Sequence, residues 1–257
     1  LAWNIKVRRK KGTIKKKKRR SGLLVLLLGA AVVAYLLWSN GIFVPNDINA
    51  KPYSVKGVDV SSYQGKVDWS QFEKQGVRFA FIKATEGSSF VDKYFKTNWQ
   101  NAEKTNIRVG AYHFFSYDSA GKTQAENYIR TVPANQKGLP PVIDLEFYGN
   151  KEKNPPNPDK VIKELQTMVK MLNQHYHKRV IIYATQKSYN MYLKGNLAHC
   201  DVWISNVYTK PLLLDNRGWA FWQYTNRGRL TGHSGKKNSL DLNVFRGTEK
   251  EFNQYGL

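Results

Sequence analysis

The chain has 257 residues, 41% of them apolar, with 7 Trp, 15 Tyr and 12 Phe, which excludes a disordered polyelectrolyte and allows a sizeable core. Its formal charge is +22, but residues 1–21 hold eleven Lys or Arg and no acid, which leaves +11 for the remainder. The single cysteine, Cys200, excludes an internal disulfide, and its apolar neighbours Val202 and Trp203 mark it as a small buried hydrophobe rather than a nucleophile.

Residues 1–21 read as a basic tail. Leu23–Trp38 follows with sixteen residues and no charge. As a helix it covers about 24 Å, short of a hydrocarbon core of ~30 Å. "GIFV" (Gly41–Val44) supplies the missing length, so a transmembrane signal-anchor helix is expected over 22–44. The basic flank places the N-terminus in the cytoplasm and everything beyond residue 45 outside, as a single-pass membrane protein. A cleaved signal peptide is the alternative, with Val32-Val33-Ala34 as its cleavage site. Nucleic acid is not expected as a partner: the basic run abuts a span, and ahead of "SAGKTQ" (Ser119–Gln124) Ser116, five residues before Gly121, stands where a phosphate loop needs glycine. Residues 45–55 are polar and read as a linker.

From residue 56 to 257 strand-like and helix-like runs alternate. The strands are "KGVDVSS" (56–62), "RFAFIKATEG" (78–87), "RVGAYHFFS" (108–116), "PPVIDLEF" (140–147) and "RVIIYATQ" (179–186). Helical runs follow at 69–76, 94–106, 121–132, 158–176 and 188–195. The fourth is the clearest, with apolar residues at 161, 162, 165, 168, 169 and 172. Three further strands, "DVWISNV" (201–207), "WAFWQYT" (219–225) and "LDLNVFRG" (240–247), come with little helix between them. Five βα units argue for a parallel sheet with helices outside, and eight strands argue for closure into a barrel.

A βα barrel carries its site at the C-terminal ends of its strands. Asp59, Glu86, Tyr112, His113, Asp144, Glu146, Tyr183, Trp222, Gln223 and Asp241 all fall on or near such ends. Asp144 and Glu146 are two apart on one strand and so share a face. Paired, partly enclosed carboxyls repel, which raises the pKa of at least one of them and suits general acid catalysis. Glu86 is either a supporting partner of the acids or only an ion-pair partner of Lys83. His113 either bonds an acid or is a satisfied core histidine. No His-Glu-x-x-His pattern or paired Cys is present, so neither a metal nor a cofactor is expected.

The segments "GVDVSSYQGKVDW", "FAFIKATEG", "VGAYHFF", "PPVIDLEF", "VIIYAT", "WISNV", "FWQYT" and "LDLNVF" carry a resemblance to the family 25 glycoside hydrolases, the Chalaropsis-type lysozymes and many endolysins. It covers residues 55–247 in the family's order. It implies a modified TIM-type (β/α)5(β)3 barrel and hydrolysis of the β-1,4 bond between N-acetylmuramic acid and N-acetylglucosamine in peptidoglycan. By the same resemblance Glu146 matches the general acid, Asp144 its partner, and Asp59 and Asp241 the other acids. Tyr63, Tyr112, Tyr183, Trp222 and Gln223 match substrate-binding positions. Either the substrate's 2-acetamido group acts as nucleophile, or Asp59 or Asp241 activates water with inversion. A non-catalytic barrel tethering membrane to wall is the rival reading. The protein is expected to be monomeric, and the +11 of the remainder suits an anionic polymer.

Overall fold

The computed structural model describes residues 11–235 and 239–257, with side chains from residue 22 onward. The chain divides into two compact units, Leu1–Phe43 and Val44–Leu257. The first ten residues of the expected basic tail lie outside the described residues.

The first unit is one helix, α1 (Lys11–Ser39), of which Gly22–Ser39 is long and apolar enough to cross a membrane. It ends earlier than the expected residue 44. Gly41 adopts a left-handed φ of 65°, and the amides of Gly41 and Ile42 turn back to the carbonyls of Trp38 and Leu37. Val44 is buried in the second unit.

The second unit runs α2 (Asp47–Ala50), β1 (Lys56–Val60), α3 (Trp69–Lys74), β2 (Phe79–Glu86), β3 (Phe90–Val91), α4 (Phe95–Ala102), β4 (Arg108–Phe114), α5 (Gly121–Thr131) and β5 (Val142–Leu145). It continues with α6 (Pro158–Tyr176), β6 (Ile181–Thr185), α7 (Gln186–Ser188) passing into a π-helical turn at Tyr189–Leu193, β7 (Asp201–Ser205), β8 (Phe221–Gly228), β9 (Leu240–Phe245) and α8 (Glu249–Gln254). The helix α6 shows why the sequence signals were readable. Asn157 caps its first turn by accepting from the Lys160 amide, and Pro158 sits where no amide is needed. Val161, Leu165, Met168, Val169 and Leu172 bury its inner stripe, and His177 closes it in a left-handed conformation.

The sheet order β1-β9-β8-β7-β6-β5-β4-β2, with β1 also pairing β2, closes an eight-stranded barrel, and β3 is a two-residue flap on β2. Around the barrel, with β3 set aside, pairings are parallel from β1–β2 through β7–β8. The five βα units give the expected parallel sheet, and β9, one of the three further strands, runs antiparallel to both β8 and β1. The connection between β8 and β9, residues 229–239, is shorter than the dozen or more residues a parallel crossover needs, whereas residues 206–220 between β7 and β8 suffice for one. Phe79, Phe81, Val142, Ile181, Trp203 and Phe221 fill the barrel interior. Ile143, Leu145, Ile182, Ala184 and Val202, one step out of phase, pack in the outer layer with the helix stripes.

Residues 45–55 are not a free linker. Asn46 is fully buried, and its side-chain amide donates to the carbonyls of Asn206 (3.0 Å) and Tyr224 (3.1 Å). Tyr224 is skipped in the register between Gln223 and Thr225, so it stands at an irregularity where the ladder does not serve its carbonyl. Val44, Ala50 and Val55 are buried with it. We expect Asn46→Ala to cost about 1–3 kcal/mol in urea unfolding, the range for orphaning a buried acceptor; a neutral result would show that this segment is dispensable.

Candidate active site

The C-terminal mouth of the barrel holds a cleft of about 370 Å³. Asp59 comes from β1, Lys83 from β2, Tyr112 from β4, Asp144 and Glu146 from the end of β5, and Asp241 from β9. The reversal of β9 is what delivers Asp241. It is the second residue of that strand, and it reaches the mouth because the strand begins there, in register with Asp59. The pleat delivers the rest: Val142 and Asp144 face inward, while Ile143 and Leu145 face the helices.

Asp59 is 8% exposed and held by two amides. Its Oδ2 accepts from Asn243 Nδ2 at 2.7 Å and Gln223 Nε2 at 3.0 Å. Both amides are aimed by donors behind them. Trp203 Nε1 donates to Asn243 Oδ1 at 2.8 Å, and Tyr183 OH (3.0 Å) and Ser205 Oγ (2.8 Å) donate to Gln223 Oε1. Each amide therefore has its oxygen turned back and its NH2 turned to the carboxylate.

Asp144 is 7% exposed, and its Oδ1 is buried with no hydrogen-bond partner. Burial first, then the charge of Glu146, pushes its pKa well above the usual carboxylate range, with Lys83 pulling the other way. Glu146 is pushed up to about 7 by burial and by Asp59, again opposed by Lys83. The two titrate as a pair, and the proton they share belongs to both. Burial and the surrounding acids also push the Tyr112 and Tyr183 hydroxyls up, so these remain neutral donors.

Of the residues expected at the site, Asp59, Tyr63, Tyr112, Asp144, Glu146, Tyr183, Gln223 and Asp241 line the cleft. Tyr63 stands on its rim, 73% exposed. Trp222 does not belong with them. It is fully buried in the outer layer, and its indole nitrogen donates to the Asn206 carbonyl at 2.9 Å. Gln223 faces the cleft, so its strand neighbour must face away. His113 is likewise turned outward, between Thr85 Oγ1 (2.7 Å) and Gln124 Oε1 (3.0 Å), and burial lowers its pKa to about 4. It is a satisfied core histidine. Glu86 pairs with Lys83 at 2.7 Å. Cys200 is buried, and burial pushes its thiol up to about 12.

Sequence reading missed Lys83, Trp203, Ser205 and Asn243. Period-two alternation carried the signal: Trp203 shares a face with Ser205, and Asn243 shares one with Asp241. Among the described residues, no group of three or more His, Cys, Asp or Glu side chains could hold a metal ion.

Comparison with known proteins places this geometry. The model for glycosyl hydrolases family 25 matches residues 58–233. The uncharacterized protein YegX of Escherichia coli O157:H7 is 35% identical over 208 residues, covering 79% of this chain and 74% of that protein. Lysozyme M1 of Streptomyces globisporus is 30% identical over 213 residues, 76% of this chain and 68% of its own. The structure of a family 25 glycosyl hydrolase from Bacillus anthracis superposes with a TM-score of 0.77 at 61% identity, covering 80% of this chain and 95% of that one.

Holding Glu146 as an anion in the folded cleft costs stability that the unfolded chain does not pay. The cost is absent below the unfolded pKa of 4.5 and grows as pH rises to about 7. Glu146→Gln should therefore stabilise the protein at pH 8, by up to about 3 kcal/mol, and do little at pH 4. Urea unfolding at the two pH values checks this; an equal effect at both would place Glu146 in water.

Proposed function

The chain belongs to glycosyl hydrolases family 25, and from that premise we propose that it is a peptidoglycan-cleaving lysozyme whose acid is Glu146. The bond cleaved is the β-1,4 link between N-acetylmuramic acid and N-acetylglucosamine. One observation carries the assignment of roles: Glu146 stands in the cleft beside a buried Asp144 with an unpartnered oxygen, and burial and the charge of Asp59 push the Glu146 carboxyl up to about 7. A glycosidic oxygen is a poor leaving group, and a carboxyl that keeps its proton near neutrality supplies what the departure needs.

Glu146 gives its proton to the glycosidic oxygen as the bond to the anomeric carbon breaks. The carbonyl oxygen of the substrate's 2-acetamido group closes on that carbon from the other side, forming a cyclic oxazolinium ion. Asp144 Oδ1 accepts the acetamido N–H. That hydrogen bond favours the Asp144 anion over its acid, leaves the pair's proton on Glu146, and stabilises the positive ring. Water then opens the ring, giving its proton to the Glu146 carboxylate, with retention overall. Asp59, fixed by Asn243 and Gln223, and Asp241 beside it supply negative potential to the positive transition state. The inverting route has Asp59 or Asp241 activate water instead; two amide donors already occupy Asp59 Oδ2, which favours a fixed anion over a base. Tyr63, Tyr112, Tyr183 and Gln223 contact the sugars.

The domain organisation fits delivery to a wall. A basic tail over 1–21 lies inside the cell, α1 anchors the chain, and the barrel, whose packed region opens at Val44, acts outside as a monomer.

Digestion of purified peptidoglycan by the full chain should release new muramic acid reducing ends, and Glu146→Gln should lower the rate by about 10²–10⁴-fold. Wild-type activity should fall as pH rises through about 7, where Glu146 loses its proton. If the wild type binds the polymer yet releases no reducing ends, the barrel is a tether and not an enzyme.

A further inference from the structure

Lys83 is the one cation among the described residues that line the cleft. Its side chain is 15% exposed, its ammonium lies 4.7 Å from the centre of the Phe114 ring and 5.6 Å from that of Phe90, and it meets Glu86 Oε2 at 2.7 Å. Residues three apart on a regular strand face opposite ways, so Lys83 and Glu86 should not meet. They meet because β2 is bulged. Lys83 pairs with Tyr112 and Thr85 with the next residue, His113, so one residue of β2 goes unmatched. Before the bulge Phe79 and Phe81 face the interior in phase with Lys83. After it Thr85 turns outward to His113, and Glu86, paired with Phe114, turns back toward the cleft. Bulges beside active sites re-aim side chains, and this one gives a cleft lysine its own carboxylate.

Glu86 is 44% exposed and attached to the β3 flap, where Asn127 Nδ2 binds the carbonyls of Gly87 and Phe90 at 3.1 Å. The lysine is thus held from one side by a carboxylate and from the other by two aromatic rings. We propose that Lys83 is a positioning residue that sets the charge of the acid cluster, and that Glu86 attenuates it so that the catalytic pair keeps one proton at neutral pH.

The groups facing the cluster make the balance explicit. Asp59 comes from β1, Lys83 from β2, Tyr112 from β4, Asp144 and Glu146 from β5, Tyr183 from β6 and Asp241 from β9, with Tyr63 on the rim; Glu86, also on β2, does not line the cleft and reaches the cluster through Lys83. Tyr112 and Tyr183 stay neutral. Trp203, Ser205 and Gln223, from β7 and β8, carry no charge. Lys83 is the cation among the described residues lining the cleft, and it lowers the pKa of both Asp144 and Glu146, while Glu86 raises that of Asp144. An unattenuated lysine would strip the pair's proton at lower pH; no lysine would leave the pair doubly protonated where Asp144 must be an anion.

This inference rests on the hydrolase reading for its activity readout, so a second readout is independent of turnover. Full-length wild type, Lys83→Met, Lys83→Arg and Glu86→Gln are compared by the pH profile of peptidoglycan hydrolysis and by carboxyl difference-infrared titration. Lys83→Met should move the alkaline limb and the infrared midpoint up by about one pH unit, and Glu86→Gln should move both down by about half a unit. Lys83→Arg should restore the wild-type midpoint. Midpoints that do not move, or that move the same way in Lys83→Met and Glu86→Gln, overturn the proposal, because loss of packing alone has no reason to shift them in opposite directions. If Lys83→Met fails to fold, the exposed Glu86→Gln decides by its own sign. A wild type with no hydrolysis rejects the enzyme reading, while the infrared midpoints still report on Lys83.

Discussion

The mouth of this barrel is organised by one electrostatic constraint: several carboxyl groups share one partly enclosed cleft of about 370 Å³. Four acids from three strands converge there, and burial penalises the negative charges of Asp144 and Glu146. The fold meets the constraint in three ways. Asp59 Oδ2 accepts from two oriented amides. The Asp144–Glu146 pair retains a proton. Lys83 supplies the opposing charge. Each device suits the proposed mechanism, in which a positive transition state needs fixed anions and a poor leaving group needs an available proton.

The supporting layer explains why the arrangement is rigid. The donors behind Gln223 and Asn243 come from β6 and β7, and the amides themselves from β8 and β9, so four strands lock the carboxylate of a fifth. Asp59 Oδ2 is thereby tied to the barrel's own closure at β1, β9 and β8. The site is costly to the fold, since a buried carboxyl pair is retained where an apolar pair would pack without penalty.

Most of this was legible in the sequence because it is written in period-two and 3.6-period patterns. The eight barrel strands, the five βα units and the carboxyl pair were readable from alternation and from apolar stripes such as that of α6. What was missed or misread has a physical cause in each case. Trp222 was grouped with Gln223 although adjacent strand residues face opposite ways. The antiparallel course of β9 is not encoded in its own composition, because direction is set by the connection before it. The bulge in β2 is invisible to a pattern that assumes strict alternation, so the Lys83–Glu86 contact could be named only as one of two options. Residues 45–55 looked like a linker because they are polar; Asn46 is polar and fully buried because a ladder irregularity 178 residues away leaves a carbonyl for it to serve.

The central claim is that Glu146 keeps its proton near neutrality because it is buried among acids. Site-specific 13C NMR of its carboxyl carbon in the full chain measures this directly. The account predicts a titration midpoint near 7, falling when Asp59 is replaced by Asn, because Asp59's charge helps to raise it. A midpoint in the ordinary carboxylate range of about 4.3, indifferent to Asp59, would contradict it.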